Sequence, residues 1–403
     1  GGLAGDALQD ADANVAVGKQ ALTRDTLGSK STAVGFNTLA DQNFTSATNS
    51  YNTAMGYNAG GAVTIGIQNT LVGAESGDAI TIGRYNTTLG YAALTTDIDG
   101  DFSTAIGFGA LQTQESDGAN QAVHNTAVGS YAGNGLTTAI HSTFVGGFAG
   151  GNAALTGDNN TGVGYRSMYS NTSGSENTGL GKDALFSNTV GAYNTAVGEG
   201  ALYTNVDGSN SVAVGRLALY NQDPASAVNM YNVAVGYDAG GAVTTGIQNT
   251  LIGGLAGTFA TTADSSTFIG HQAGQGITGA KLTGNDNTAV GKDAGLLLQG
   301  AANRNTLLGS LAGDALTTGV ENTFIGYNSG TYQNDLTTGT GNTIAGAFST
   351  TTAVDSSFAS GLGYNIDCEA GYTTLGNSTS DIRAAHGNVT WATVSDQRYK
   401  KDI

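Results

Sequence analysis

Residues 52–68 read NTAMGYNAGGAVTIGIQ and residues 69–85 read NTLVGAESGDAITIGRY, and these adjacent segments show the repeat that decides the fold. Each begins with Asn-Thr-apolar-aliphatic-Gly, and this unit or a close variant starts at 19 places between Asn14 and Asn342. Eleven of the 18 intervals are 17 residues long, and the others are 18, 20, 21 or 22. We therefore number the positions of each repeat from 1 to 17, beginning at its first Asn or Ser.

Several positions of the repeat hold one kind of residue. Position 5 is Gly in every copy, which predicts a turn with positive φ or a close backbone approach. Position 4 is aliphatic or Met, and position 8 is small throughout. Position 9 is Leu or Met in eight copies and Gly in ten, which indicates a variable neighbour rather than a uniform core.

The residue types predict β structure. Short runs of Val, Ile and Thr bounded by Gly are typical of strands, and no stretch keeps a helical apolar period. A unit of 17 residues suits one coil of a solenoid, in which equivalent positions stack into ladders. We expect an all-β fold, a parallel β-solenoid or β-roll of about twenty coils over residues 1–350, and at about 4.8 Å per coil a rod on the order of 100 Å long. Degenerate coils and a neck are expected over 351–394.

The strands also predict assembly. Positions 3 and 4 point to opposite faces of a strand, and position 3 is apolar or Gly in 18 of 19 copies, with Thr88 the exception. Two apolar faces predict burial on both sides, and the core residues are small. A homotrimeric fibre of wrapped chains explains both points. A fatter monomeric solenoid with a second inner layer is the alternative.

Composition narrows the class of protein. One Pro among 403 residues excludes collagen despite 64 Gly, and 39% hydrophobic content argues against disorder. The single cysteine, Cys368, excludes a disulfide scaffold. A net charge of -17 without a basic stripe predicts no nucleic-acid partner. No apolar run reaches 18 residues, so no membrane insertion is predicted.

Two further observations concern how the chain is built. Residues 51–73 and 231–253 are nearly identical, which indicates growth by duplication of whole blocks. Gly1 aligns with position 5 of a repeat whose first four residues are missing. We therefore expect the sequence to be a fragment of a longer protein with its anchoring end upstream.

The C-terminal residues 395–403, SDQRYKKDI, carry a motif of another kind. They resemble the start of the endosialidase-type intramolecular chaperone of phage tail spikes and tail fibres, with Tyr399 where that family has Leu. The resemblance implies that the chaperone trimerises the chain and then cuts itself off between Ser395 and Asp396. Ser395 would be the nucleophile and Lys400 its base, while the chaperone body would follow Ile403. The repeats are also similar to the β-roll heads of trimeric autotransporter adhesins, whose coils are shorter.

Inside the repeats the expected roles are structural. We predict that the histidines are surface residues and that two carboxylate pairs are solvated loop acids rather than glycosidase pairs. These residues are His124, His141, His271 and His386, and the pairs Asp97 with Asp99 and Glu115 with Asp117. The Gly-Asn-Asp stretch at 284–286 resembles a calcium turn, but most copies lack such acids, so no metal or other cofactor is predicted.

The ladders and the long linkers leave alternatives open. Asn at position 1 predicts an internal hydrogen-bonded ladder, and Thr at position 2 either joins it or forms a hydroxyl array suited to ice or crystalline polysaccharide. The linkers near 40–50, 112–124, 220–230, 275–286 and 331–341 are either passive bulges or recognition loops. Their aromatic residues, which would suit carbohydrate stacking, are Phe44, Tyr220, Tyr231 and Tyr332.

These observations together predict a structural protein rather than an enzyme, apart from the single self-cleavage. The leading hypothesis is the shaft of a homotrimeric phage tail fibre in the virion tail, extracellular in action and assembled in the host cytoplasm. Its partners would be its own copies, other tail proteins upstream, and a host surface glycan or protein receptor. The alternatives are a bacterial surface adhesin filament and a tail spike that depolymerises polysaccharide.

Overall fold

The computed structural model describes residues 1–118, 121–151, 153–333, 335–378, 380–388 and 390–394, and these residues form short β-strands with no α-helix among them. The chain divides into two compact units, Gly1–Asp207 and Gly208–Ile403. Each of the 19 repeats supplies a three-residue strand at positions 2–4. The predicted all-β fold, a parallel β-solenoid with coils of about 17 residues, is therefore confirmed.

The main sheet of the first unit has eleven strands. They are β1 (Val15–Val17), β3 (Thr32–Val34), β5 (Thr53–Met55), β6 (Thr70–Val72), β7 (Thr87–Leu89), β8 (Thr104–Ile106), β9 (Thr126–Val128), β10 (Thr143–Val145), β11 (Thr161–Val163), β12 (Thr178–Leu180) and β13 (Thr195–Val197). A separate pair is formed by β2 (Gly28–Ser29) and β4 (Thr48–Asn49).

The second unit repeats this plan. Its parallel strands are β15 (Val212–Val214), β17 (Val233–Val235), β18 (Thr250–Ile252), β19 (Thr267–Ile269), β20 (Thr288–Val290), β21 (Thr306–Leu308), β22 (Thr323–Ile325), β23 (Thr343–Ala345), β25 (Ser360–Tyr364) and β27 (Tyr372–Asn377). Two separate pairs are β14 (Gly208–Ser209) with β16 (Val228–Asn229), and β24 (Thr350–Thr351) with β26 (Asp367–Cys368). Two further strands, β28 (Asp381–Ala385) and β29 (Ala392–Val394), follow β27 in antiparallel order.

Equivalent positions stack in register from coil to coil. In β5 and β6, Thr53 pairs with Thr70 and Met55 pairs with Val72. The same register holds along the parallel strands of each unit, so each repeat position forms a ladder. Hydrogen bonding between identical positions is the reason why one residue type recurs at each of them.

Position 5 meets both predicted demands on its glycine. All 19 of these glycines have φ between 127° and 149°. A Cβ on Gly56 would lie 2.4 Å from the carbonyl oxygen of Gly73 in the next coil. Any side chain would therefore be strained by its own backbone and would also collide with its neighbour's backbone.

Position 9 varies because neighbouring core positions compensate for it. Where position 9 is Gly77, the core is filled by Leu71 at position 3 and Ile80 at position 12, and a Cβ on Gly77 would meet both within 2.9 Å. Where position 9 is Leu111, position 3 is Ala105 and position 12 is polar. The Leu and Gly alternatives are thus two ways of filling the same volume, as the predicted variable neighbour implied.

The two faces of each strand have different environments. In β5, Ala54 at position 3 is buried, while Thr53 and Met55 on either side of it point outward and are exposed. Within one chain this strand is therefore buried on its inner face only, and the predicted burial of the outer face would have to come from further copies. The inner face is also less uniformly small than predicted, since Phe144, Phe268 and Phe324 are fully buried at position 3.

Asn at position 1 forms the predicted internal ladder. The Oδ1 of Asn52 accepts a 2.9 Å hydrogen bond from the backbone N–H of Asn69, and the Nδ2 of Asn52 donates to the carbonyl of Gly66 at 2.8 Å. Asn69 repeats both contacts with Asn86 and Gly83. These buried amides satisfy backbone groups that the turns would otherwise leave unpaired.

Candidate functional site

The residues of the chaperone motif, Ser395, Asp396 and Lys400, lie outside the described residues. The last described strand, β29, ends one residue before Ser395 and is the third strand of the antiparallel segment that begins with β27. Trp391, just before β29, is exposed. The self-cleavage site stays a prediction based on the resemblance.

The four histidines are exposed, as predicted. Two of them also continue an aromatic stack, which was not predicted. The ring of His124 lies on Phe102 with centroids 4.8 Å apart, and His141 lies on His124 at 5.6 Å. Each is the last residue of its coil, directly before position 1 of the next, so the alignment of coil ends was the available signal.

One of the predicted solvated acids is buried, and that prediction was wrong. Asp97 is fully buried, and its carboxylate accepts hydrogen bonds from the Nε2 of Gln114 at 2.6 Å and from the backbone N–H groups of Gly100 and Ser116. Asp97 therefore anchors the long linker that begins near residue 112. Its partner in sequence, Asp99, is half-buried, and its Oδ1 accepts a hydrogen bond from the Thr81 hydroxyl. Glu115 and Asp117 are exposed as expected.

The same device holds the linker near residues 40–50. The buried carboxylate of Asp25 accepts hydrogen bonds from the Nε2 of Gln42 and from the backbone N–H groups of Gly28 and Phe44. Gln42 and Gln114 both stand at position 12, one coil after the acid that they contact. Buried amide and carboxylate groups thus fix where these linkers leave the solenoid.

The aromatic residues of the linkers do not form one recognition surface. Phe44 is buried, so of the two alternatives for its linker it does not fit carbohydrate stacking. Tyr332 packs against Phe348 edge-on at 4.9 Å, and Tyr220 is half-buried. Tyr231 is exposed, and its hydroxyl accepts a hydrogen bond from the Nδ2 of Asn229.

The stretch at 284–286 that resembles a calcium turn forms a hydrogen bond to the preceding coil. The Oδ1 of Asn285 accepts a 2.9 Å hydrogen bond from the backbone N–H of Asp264 one coil earlier, in the way that other coils are joined. The described part of the chain contains no group of three or more His, Cys, Asp or Glu placed to hold a metal ion. It also contains no helix long and apolar enough to cross a membrane.

The outward strand face carries two regular ladders. Position 4 presents half-exposed aliphatic side chains on coil after coil, with Val17 55%, Leu89 50% and Leu308 46% exposed. Position 2 is Thr in 16 copies and Val in three. Its side chain is exposed or half-buried in all 19 repeats. None of the 38 residues at positions 2 and 4 is charged. This surface, which we call the strand face, is uncharged in a protein of net charge -17, and it combines an aliphatic ladder at position 4 with a largely threonine ladder at position 2.

Aromatic side chains stack between coils at several other positions. Tyr85 and Phe102 stack at position 17 with centroids 4.7 Å apart, and Phe36 and Tyr57 stack at position 6 with centroids 5.5 Å apart. Each such stack covers ring faces and leaves mainly ring edges for solvent. Most exposed aromatic residues are therefore part of the ladder structure.

The thiol of Cys368, the single cysteine, has low reactivity. Cys368 is buried, and burial, together with the charges of Asp367 and Asp381, raises the pKa of its thiol to about 12. A thiol with such a pKa is protonated at neutral pH and is a poor nucleophile.

Comparison of the chain with protein-family models and with curated proteins finds no match.

Proposed function

We propose that this chain is the shaft of a homotrimeric phage tail fibre that takes part in attachment to the host surface. The observation that carries the proposal is the uncharged strand face, whose half-exposed position-4 side chains form an aliphatic ladder on the coils of each unit. Covering a half-exposed aliphatic side chain contributes about 1 kcal/mol. The contribution recurs on each coil, so wrapping by further copies would gain stability along the whole length of the contact.

The motif at residues 395–403 supports three copies and a phage origin through its resemblance to the tail-fibre chaperone. The coil architecture agrees with a stiff structural element, since each coil is fixed by backbone and Asn hydrogen bonds to its neighbours. In this role the protein carries no cofactor and turns over no substrate. Its single chemical step would be self-cleavage after Ser395.

Sedimentation velocity and mass photometry of the full-length gene product test the proposal. We expect a single species with three times the mass of the cleaved chain. A stable folded monomer would refute it. The sequence upstream of Gly1 in the gene distinguishes a tail fibre from an adhesin, because the first would carry a virion-attachment segment and the second a secretion signal. Incubation with host polysaccharide tests for a depolymerase, which would shorten the polysaccharide chains.

A further inference from the structure

The position-6 ladder of the first unit is interrupted at one coil. Successive coils place Ser130, Gly147, Tyr165 and Lys182 at this position. Gly147 has no side chain, and a Cβ built on it would lie 3.6 Å from the Cδ2 of Tyr165. The absent side chain therefore leaves a gap beside the ring of Tyr165, on the side of the preceding coil.

The opposite side of Tyr165 is occupied. The Arg166 guanidinium lies 5.1 Å from the Tyr165 ring centroid and 4.9 Å from that of Phe186 in the next coil. The same guanidinium donates two hydrogen bonds to the carboxylate of Asp183, at 2.8 and 3.1 Å. Arg166 is thus fixed toward the following coil, and the Tyr165 ring is supported from that side while 49% of the residue stays exposed.

Other aromatic rings surround the gap. The Phe148 ring is perpendicular to Tyr165, at 89° with centroids 6.3 Å apart, so it does not cover the Tyr165 ring by stacking. Phe148 itself stacks on Tyr131 at 5.3 Å and meets Tyr169 edge-on at 6.5 Å. Tyr169 continues into the stack with Phe186 and Tyr203 at 5.3 and 4.9 Å. The gap therefore lies within a continuous aromatic surface that crosses five coils.

From this geometry we propose that the gap over Gly147 is a binding subsite for one pyranose ring of an uncharged glycan, stacked on the face of Tyr165. The face of an aromatic ring is electron-rich and attracts the weakly positive C–H groups that line one face of a pyranose. The exposed Ser130, at position 6 of the coil before Gly147, offers a hydroxyl on the far side of the gap. The inference rests on the proposed function for the source of the glycan, a host surface.

Charge favours an uncharged ligand over an anionic one. Arg166 is paired with Asp183, and the Nζ of Lys182 lies 3.3 Å from Glu199 and 3.6 Å from Asp183, so the cations nearest to Tyr165 are already neutralised. The protein as a whole carries -17 and repels polyanions. Anionic glycans are therefore an outcome of the test rather than part of the proposal.

Filling the gap is the decisive experiment, and the chain supplies its control. Gly147→Leu places a side chain against Tyr165, and the ordinary contact distance at its Cβ predicts unchanged folding. Gly254→Leu makes the same change at position 6 of another coil, where a Cβ would likewise lie 3.6 Å from the ring of His271. Tyr165→Ala removes the stacking ring itself.

Binding of cellohexaose, maltohexaose and chitin hexasaccharide to the full chain is measured by saturation-transfer NMR and calorimetry, with hexagalacturonate as the anionic probe. We expect at least one uncharged probe to bind, with affinity falling about tenfold or more in Gly147→Leu and Tyr165→Ala and unchanged in Gly254→Leu. The proposal is overturned if no uncharged probe binds, if only hexagalacturonate binds, or if all three variants bind equally. Oligomeric state is measured on the same samples, so a monomer that binds, or a trimer that does not, tells the two proposals apart.

Discussion

The carboxylate of Asp97 accepts a 2.6 Å hydrogen bond from the Nε2 of Gln114, which stands 17 residues later at the same position of the next coil. Gln114 also donates to the hydroxyl of Ser103 at 2.8 Å and accepts from the Nδ2 of Asn125 at 3.0 Å. All of these side chains are fully buried. One glutamine therefore joins three coils at the place where the linker near residue 112 departs.

This contact predicts a large cost for its removal. Gln114→Leu would leave the buried carboxylate of Asp97 without its side-chain donor, so we expect a loss of about 3 kcal/mol in the free energy of unfolding. Gln112→Leu in the same coil changes a half-buried side chain and serves as the control. Chemical denaturation measures both, and equal stabilities would show that the network contributes little.

Neighbouring glycines provide a test of the position-5 backbone. Gly253 has a φ of 132°, and a Cβ there would lie 2.4 Å from the carbonyl oxygen of Gly270. We expect Gly253→Ala to lower the free energy of unfolding by at least about 2 kcal/mol. Gly254→Ala, one residue later, meets only the ring of His271 at 3.6 Å and should be tolerated. A Gly253→Ala protein that melts like the wild type would contradict this account of position 5.

The strand face can be tested within a single coil. Met55 at position 4 and Ile65 at position 14 are 48% and 52% exposed in the chain, so lysine is easily accommodated by the isolated coil at either site. If copies cover the strand face, Met55→Lys places a charge in the interface of each chain and lowers the melting temperature of the assembled protein. Ile65→Lys should not. Equal melting of the two assembled variants would place the interface elsewhere.

A duplicated position allows a pH prediction. Burial raises the pKa of Asp238, although the charge of Arg216 acts in the opposite direction. A raised pKa means that the folded state holds the proton more tightly, so the protonated side chain favours folding at low pH and this contribution is lost as the pH rises through the folded pKa. The matching residue of the 51–73 block is Asn58. We expect Asp238→Asn to raise the melting temperature at pH 7, and the gain to vanish below about pH 4.

Asn58→Asp is the reverse change and should destabilise the protein at pH 7 but not at low pH. Thermal melts of both variants from pH 3 to pH 8 measure the effect. A gain for Asp238→Asn that stays constant over this range would show that titration of the carboxylate is not its cause.

The chaperone motif predicts a defined mature end. In the full-length gene, Ser395→Ala should leave the chaperone attached while trimers still assemble, and Lys400→Ala should slow the cut. Intact-mass measurement of the wild-type product is the readout. A mature chain that still includes Asp396 would count against the resemblance to the chaperone family.

The sequence was sufficient for those features that repeat in every coil. The glycines at position 5 were predictable because one backbone geometry demands one residue type nineteen times, and the ladder at position 1 was predictable because 14 of the 19 copies have Asn there. Asp97 could not be placed, because a loop acid and a buried anchor look alike until the partner Gln114 is found one coil later. The stacks were findable by comparing residues 17 apart, as with Tyr85 and Phe102. The gap at Gly147 could not be found in this way, because the gap stays open only if the Arg166 side chain points toward the following coil, and the sequence does not show that direction.

The exchange of volume between positions 3, 9 and 12 sets a rule for how such a chain can lengthen. A coil with glycine at position 9 has a large apolar residue at position 3 of its own coil, as Gly77 has Leu71, or of the coil that follows, as Gly60 has the same Leu71. Recombination that joins coils of unlike kind would leave either a void or a collision at the junction. The duplicated block keeps the same pair as Gly240 and Leu251. Duplication or deletion should therefore involve blocks of neighbouring coils. The number of coils can change without core substitutions only where the two coils that become adjacent have matching core side chains.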